Sequence, residues 1–318
     1  MTDADITEAG ADVDAGVAEV GGMVGRVVEN VERVIVGHHD VVEHLMTGVL
    51  GRGHVLVEDV PGVGKTMLAR AVAQSFDCSF KRIQFTPDLL PSDVTGVNVY
   101  NQATGEFEFR PGPVFANVVL GDEINRAPPK TQSALLEAME ESQVTVDGET
   151  HPIEEPYVVI ATQNSVEHDR TYDLPTAELD RFVKKLDLGY PEEAEEVEVL
   201  GRVVGGHPIE SLDPVASVED LVTARQVAAS VAVETPVREY ATRLATYTRE
   251  HAELGVSPRG SIALLRAAQG RALLDERDYV VPDDVQTEAI PTLAHRIQSG
   301  GDRTGTEIVA AALETVEI

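Results

Sequence analysis

The sequence predicts an α/β fold, a parallel sheet covered by helices and carrying a phosphate-binding loop, followed by a smaller all-helical domain. Three observations carry this prediction. Short apolar runs at 54–58, 80–84, 118–122, 157–162 and 185–188 alternate with helical patterns such as 67–75 and 129–141, the order that parallel strands joined by crossover helices produce. The first of these runs enters a glycine-rich turn ending in Gly64-Lys65-Thr66 and continues directly as a helix. Beyond Pro191 the strand pattern stops and helix start signals take over.

Taken in order, residues 1–22 are rich in Asp, Glu, Ala and Gly without a sustained apolar period and read as an acidic mobile tail. A helical pattern runs over 23–34, Gly37 breaks it, and a second amphipathic segment, 39–50, sets Val41, Val42, Leu45 and Val49 on one face. In the C-terminal part, Ser217 with Asp220 forms a capping box, Thr235 precedes Pro236 at a first helical position, and Pro282 opens another helix. The expected domains are therefore the tail 1–22, an α/β core over 23–190 and a helical lid over 191–318.

The chain has 55 acidic and 25 basic residues, a formal net charge of −30, and only five lysines among its 318 residues. Self-repulsion of this size destabilises a compact chain at low salt and is screened over about 3 Å at 1 M salt. Because the acidic residues are spread along the whole chain, the composition points to the cytoplasm of a halophile, with an archaeal source expected, rather than to one acidic patch for a basic partner. The single cysteine, Cys78, cannot close an intrachain disulfide and reads as a small buried hydrophobe. No apolar run of membrane-spanning length occurs, so no membrane insertion is expected. The adjacent histidines His38 and His39 lack further ligands at metal-binding spacing and read as surface or hinge residues near a nucleotide base; His168, His207 and His251 are scattered and receive no role.

The chemistry is concentrated at three strand ends. In the turn Pro61-Gly62-Val63-Gly64-Lys65-Thr66, continuing into Met67, the glycines let backbone N–H groups face a phosphate chain. Lys65 would reach the β and γ phosphates and the Thr66 hydroxyl would ligate Mg²⁺. The motif's usual first glycine is Asp59 here, which places a carboxylate beside an anion site. The run 118–121 ends in Asp122-Glu123, where Asp122 would hold Mg²⁺ through water and Glu123 would polarise a water attacking the γ phosphate of ATP. A single Asp-Glu pair is an ordinary acidic turn; coupled to the phosphate loop it becomes a catalytic pair. The run 157–162 is followed by Gln163-Asn164, and Asn164 is placed to bond the γ phosphate and the water, although asparagine after a strand is often a turn residue.

Longer stretches resemble the MoxR branch of the AAA+ ATPases. They are Gly121-Asp122-Glu123-Ile124-Asn125-Arg126-Ala127-Pro128-Pro129-Lys130-Thr131-Gln132 with Leu135-Leu136-Glu137-Ala138-Met139-Glu140-Glu141, then Ala161-Thr162-Gln163-Asn164 with Leu179-Asp180-Arg181-Phe182 behind it, and Ser257-Pro258-Arg259-Gly260-Ser261 in the helical domain. Two positions depart from the family pattern, Ser165 in place of proline and Arg170 in place of glycine. The resemblance implies that Arg181 is an arginine finger reaching a neighbouring subunit's nucleotide and Arg259 the sensor-2 arginine, roles that suit a planar, permanently charged guanidinium. It also implies a homo-oligomeric ring, as a hexamer, that remodels a partner protein complex, often one with a von Willebrand factor A domain or a metal-cofactor enzyme.

The resemblance further locates an insertion at 89–109 and a hairpin at 144–152 facing the pore. A nucleic-acid motor of the related helicase branch needs cations there, and neither segment contains Lys or Arg. A protein substrate and no nucleic acid is the expectation; a scaffold that binds ATP without hydrolysing it is disfavoured because every catalytic role has its residue.

Overall fold

In a computed structural model of the chain, the structure describes residues 3–164, 172, 174–204 and 206–318, with residues 3–15 and 203 described by backbone alone. The positions Ser165, His168 and Arg170 discussed above lie outside the described residues. The elements run α1 (Asp3–Glu32), α2 (His39–Leu50), β1 (His54–Asp59), α3 (Lys65–Ser75), β2 (Phe80–Gln84), α4 (Pro91–Thr95), β3 (Gly96–Asn101), β4 (Glu106–Pro111), β5 (Val118–Asp122), α5 (Pro129–Glu141), β6 (Gln143–Val146), β7 (Glu149–Pro152), β8 (Val158–Asn164), α6 (Thr176–Leu179) and β9 (Phe182–Leu186). The helical part follows as α7 (Glu193–Val203), α8 (Val218–Ser230), α9 (Thr235–His251), α10 (Pro258–Leu274), α11 (Pro282–Leu293) and α12 (Gly305–Thr315).

Among the described residues, five strands form one parallel sheet in the order β2-β5-β8-β1-β9. Both faces are covered, so its strands alternate between two cores instead of between core and water. Val55 and Val57 of β1 join α1–α3 and the lid helices on one side, while Leu56 between them joins Phe85, Val119, Leu135 and Phe182 on the other. The crossover from β1 to β2 passes over two strands, leaving a crevice at the carboxyl end of β1 next to β8, where ligands of open α/β sheets bind. Two antiparallel hairpins, β3–β4 and β6–β7, stand apart from this sheet at the two places where the inserted segments were expected.

Several expectations require correction. The first helix begins at Asp3, not at 23, and Val17 is 1% exposed within the main core. Val17, Val24, Val28 and Val31 follow one another at helical spacing, but Ala and Gly between them dilute the stripe so that it forms no sustained apolar period in the sequence. The strand expected at 185–188 begins three residues earlier at Phe182, because Lys184, which reads as polar, is fully buried. The strand expected at 157–162 runs to Asn164, so Gln163 and Asn164 belong to it. Helix α9 starts at Thr235 itself, with Glu234 as its N-cap, so Pro236 is the second helical residue and not the first. The returning strand of the first hairpin reaches Pro111 and thus includes Arg110, exposed at the base opposite Val97.

The lid is bolted to the sheet by a buried polar cluster. Lys184 of β9 pairs with Glu288 of α11, both wholly buried, and Glu288 also accepts from Arg271 Nε of α10 at 3.0 Å and from Thr47 Oγ1 of α2 at 3.1 Å. Burial alone would raise the Glu288 carboxyl, but the charge of Lys184, with His44 and Arg271, outweighs it and holds the group down at about 2. Removing one member strands the other's charge. Glu288→Ala is therefore expected to lose about 3–5 kcal/mol of stability, read as a shift in the denaturant midpoint, and Glu288→Ala combined with Lys184→Met should recover most of it. A shift below about 1 kcal/mol would mean that water reaches Lys184.

His54, at the start of β1, joins three elements. Its Nδ1 accepts from Val159 N of β8 at 2.9 Å, and its Nε2 donates to the Met139 carbonyl of α5 at 3.0 Å. That geometry needs the neutral ring, and burial lowers its pKa to about 4. The unfolded ring takes up a proton below about 6.5 and the folded one only below about 4, so the stability this histidine confers is present above 6.5 and drains away as pH falls through that window. Wild-type protein is expected to lose about 1.4 kcal/mol more per pH unit than His54→Gln between those limits, measured by denaturant unfolding at pH 7 and pH 5. Equal slopes would remove His54 from this account.

Candidate functional site

The phosphate loop leaves β1 at Asp59 and closes into α3 through Gly62 and Gly64, at φ +90° and +99°. These are left-handed values at which any side chain is strained. Lys65, 8% exposed, donates from Nζ to the Asp59 carbonyl at 2.9 Å and to the Gln163 carbonyl and Asn164 Oδ1 at 3.4 Å each. Burial lowers its pKa, with the nearby Asp59, Asp122 and Glu123 acting in the opposite direction. Thr66 and Met67 follow in the first turn of α3.

Asp59 itself does not face the loop's interior. Its Oδ1 accepts from Val60 N at 2.6 Å, and its Oδ2 accepts from Leu188 N at 2.7 Å and Gly189 N at 2.6 Å. The carboxylate that sequence alone sets beside an anion site instead ties the loop's base to the segment leaving β9, where three backbone N–H groups satisfy it.

Parallel register brings the tips of β1, β5 and β8 together, with Asp59 opposite Asn164 and Gly121 opposite Ala161. Asn164 Nδ2 donates to Glu123 Oε1 at 2.8 Å, so one amide joins Lys65 to Glu123. Glu123 sits in the left-handed region, φ 57°, ψ 50°, which costs a residue with a side chain about 1–2 kcal/mol; its N–H donates to Thr162 Oγ1 at 2.8 Å. Asp122, 8% exposed, accepts from Thr162 Oγ1 at 2.6 Å. A hydroxyl at Thr66 and a carboxylate at Asp122 are hard oxygen donors of the kind Mg²⁺ takes, with substrate oxygens and water completing its shell.

Four contacts here had no counterpart in the sequence reading. Arg82 Nε donates to Asp122 Oδ2 at 2.9 Å, Gln84 Nε2 donates to Glu123 Oε2 at 2.7 Å, Arg126 Nη1 donates to the same oxygen at 2.9 Å, and Thr162 serves both acids. Arg82 and Gln84 lie on β2, whose pairing with β5 sets Gln84 opposite Asp122. Only that register makes them neighbours of the acids, and no local signal in the sequence reveals it.

A cavity of about 260 Å³ opens against the loop, walled by Val34, Ile35, Val63, Met67 and Val199, with His38 among its polar groups. His39 points elsewhere, pairing with Glu32 and with Glu43 at 3.3 Å. His207 accepts from Ile209 N, and His251 stacks on Tyr247. Among the described residues no group of three or more His, Cys, Asp or Glu side chains is arranged to hold a metal ion. Cys78 is buried, and burial pushes its thiol up to about 11.

Arg181 and Arg259 are not part of this cluster. His54 pairs with Phe182 at the amino end of β1, so Arg181 stands a full strand length from the loop, roughly 17 Å. There it meets Arg259 from the first turn of α10, and both bind Glu140: Arg181 Nε at 3.1 Å from Oε2, Arg259 Nη2 at 2.7 Å from Oε1. They border a cavity of about 400 Å³ whose wall also holds Arg52, Arg225, Arg266 and Arg296.

A parallel sheet with a lysine-bearing phosphate loop, an acid pair on the neighbouring strand tip and a helical lid defines a P-loop ATPase of the AAA type. Residues 54–184 match the family described as "ATPase family associated with various cellular activities (AAA)", and residues 244–313 match the AAA lid domain. The chain is 55% identical over 277 residues to the uncharacterised protein YeaC of Bacillus subtilis, covering 86% of this chain and 87% of that one. It is 42% identical over 295 residues to Chaperone MoxR1 of Mycobacterium tuberculosis, 89% and 78% of the two chains, and 30% identical over 299 residues to Protein MoxR of Methylorubrum extorquens, 86% of each. A crystal structure described as an ATPase from Cytophaga hutchinsonii superposes with a TM-score of 0.89 at 37% identity, covering 97% of this chain and 98% of that chain. The chain belongs to the MoxR family of AAA ATPases, and it is an ATP-hydrolysing enzyme.

Proposed function

We propose that the chain works as a ring, six copies set head to tail, which converts ATP hydrolysis into remodelling of a partner protein. The observation that carries this reading is the separation of the site's two halves. Lys65, Asp122, Glu123 and Asn164 converge at one end of the strands, while Arg181 and Arg259 lie at the other, beyond the reach of an arginine side chain. Halves so placed meet only between two copies, and a heterologous contact that closes makes a ring.

In that arrangement the loop from Pro61 to Lys65 holds the triphosphate, and the cavity beside Met67 takes the adenine. Thr66 and Asp122 hold Mg²⁺, which when bound neutralises phosphate charge. Glu123 orients the attacking water and accepts its proton, Asn164 fixes Glu123 against the γ phosphate, and the neighbour's Arg181 and Arg259 stabilise the charge spreading over its oxygens. Arg82 and Gln84 keep the acids in place.

A protein substrate is favoured by the hairpin β3–β4, whose exposed Tyr100 and Phe107 rings lie 5.3 Å apart among acidic residues. The segments 89–109 and 144–152 contain no Lys or Arg, and Arg110 lies at the hairpin's base. The name of the mycobacterial relative, a chaperone, agrees, and the family resemblance extends the reading to a partner with a von Willebrand factor A domain or to cofactor insertion into an enzyme. The named relatives are bacterial, and the net charge of −30 supports a salt-rich cytoplasm as the working environment. No helix among the described residues is long and apolar enough to cross a membrane.

The test is hydrolysis at the lowest salt at which the ring stays folded, with single-stranded DNA, duplex DNA or RNA added. No stimulation is expected, because the segments 89–109 and 144–152 offer no cations for phosphate contacts and the first hairpin carries only Arg110, at its base. Stimulation severalfold by any of them would replace this reading with the helicase one.

A further inference from the structure

We propose that Glu140 is a built-in competitor for phosphate, occupying Arg181 and Arg259 until the triphosphate of a neighbouring copy displaces it. This rests on the reading of those arginines as groups that act across a subunit boundary. Glu140 gives one carboxylate oxygen to each arginine, at 3.1 Å and 2.7 Å, the two-oxygen pattern that a terminal phosphoryl group presents to a pair of guanidiniums. Two other carboxylates line the cavity, Asp180 and Glu155. Asp180 is already engaged, since Arg296 binds its side chain and its carbonyl and Ser257 Oγ lies 3.4 Å from its Oδ2, and the charge of Glu155 acts on Arg225.

The position of Glu140 has no explanation in helix stability. It lies in the last turn of α5, which holds no basic residue and where the helix dipole disfavours a carboxylate. The turn is held firmly by the hydrogen bond from His54 to the Met139 carbonyl. All three side chains remain open to solvent, 34% exposed for Glu140, 28% for Arg181 and 54% for Arg259, so an incoming anion can reach them. A dianionic phosphoryl group outcompetes a single carboxylate for two guanidiniums, whereas stray monoanions do not. Glu140 thereby restricts the pair to a triphosphate presented by a docked neighbour. Because α5 begins at Pro129, just past the Glu123 turn, and Gln132 Nε2 donates to the Ile124 carbonyl at 3.1 Å, the helix that carries the competitor also abuts its own subunit's hydrolytic acid.

The experiment has two arms. In the first, Lys65→Ala removes the chain's own loop from play, and calorimetry at low salt measures binding of inorganic tripolyphosphate. Lys65→Ala/Glu140→Gln is expected to bind about fivefold more tightly than Lys65→Ala, the value of losing two partly exposed ion pairs, and the gain should vanish when Arg181 and Arg259 are also changed to Ala. Equal affinity, weaker binding or a gain that survives loss of both arginines would overturn the proposal; weaker binding would make Glu140 a prop for the arginines. In the second arm, Glu140→Gln is expected to lower the KM for ATP in assembled rings without lowering kcat, and to have no effect on KM in an Arg181→Ala/Arg259→Ala background. If the first arm succeeds while Arg181→Ala hydrolyses ATP as wild type does, the competition stands and the cross-subunit reading fails. Glu140 is a third exposed, so folding is not at risk, and thermal melts of each variant confirm it.

Discussion

Glu123→Gln is expected to hydrolyse ATP roughly 10²–10⁴-fold more slowly than wild type, the usual contribution of a positioned general base, while binding ATP within about twofold of the wild-type affinity. The geometry explains why the two effects separate. Glu123 lies outside the phosphate loop, and its carboxylate is gripped by Asn164 at 2.8 Å, Gln84 at 2.7 Å and Arg126 at 2.9 Å. A glutamine there keeps size and place but cannot take a proton from water. Lys65→Ala should behave in the opposite way and lose binding, because the ammonium held between the Asp59 carbonyl and Asn164 is the cation that the loop itself carries. Nucleotide affinity and phosphate release, measured for both variants in high salt, decide the matter. Turnover at the wild-type rate in Glu123→Gln would remove Glu123 from its role.

Arg181→Ala is expected to reduce hydrolysis by about 10³–10⁵-fold, the range for an arginine finger, with nucleotide binding by an isolated subunit nearly intact. Arg181 is a strand length from its own chain's loop, so in the proposed ring its effect is expected to fall on another copy. Mixing supplies the decisive measurement. Arg181→Ala subunits retain Glu123, and Glu123→Gln subunits retain Arg181, so rings containing both should regain activity at interfaces that pair one intact half from each. Mixed rings with no regained activity would mean that Arg181 acts within its own chain or only supports the cavity wall.

Most of the candidate site was legible in the sequence because it depends on local order. Gly62, Gly64, Lys65 and Thr66 are contiguous, Asp122 and Glu123 are adjacent at a strand tip, and a strand running into a loop and a helix dictates where those groups point. The central strands β5 and β8 were readable because burial on both faces leaves nearly continuous apolar runs. Tertiary structure decided whatever depends on register or on burial of a charge. Arg82 and Gln84 became partners of the acids only because β2 pairs with β5. Asp59 is held away from the loop's interior by the N–H groups of Leu188 and Gly189, which lie 129 and 130 residues further along the chain and so leave no local trace beside it. Lys184 extended a strand that its charge disguised, because Glu288 of helix α11 neutralises it. Glu140 met Arg181 and Arg259 only when three elements converged on one cavity. Hydrophobic period and loop chemistry are written residue by residue, whereas a hydrogen bond or ion pair between distant segments exists only once the chain has closed on itself.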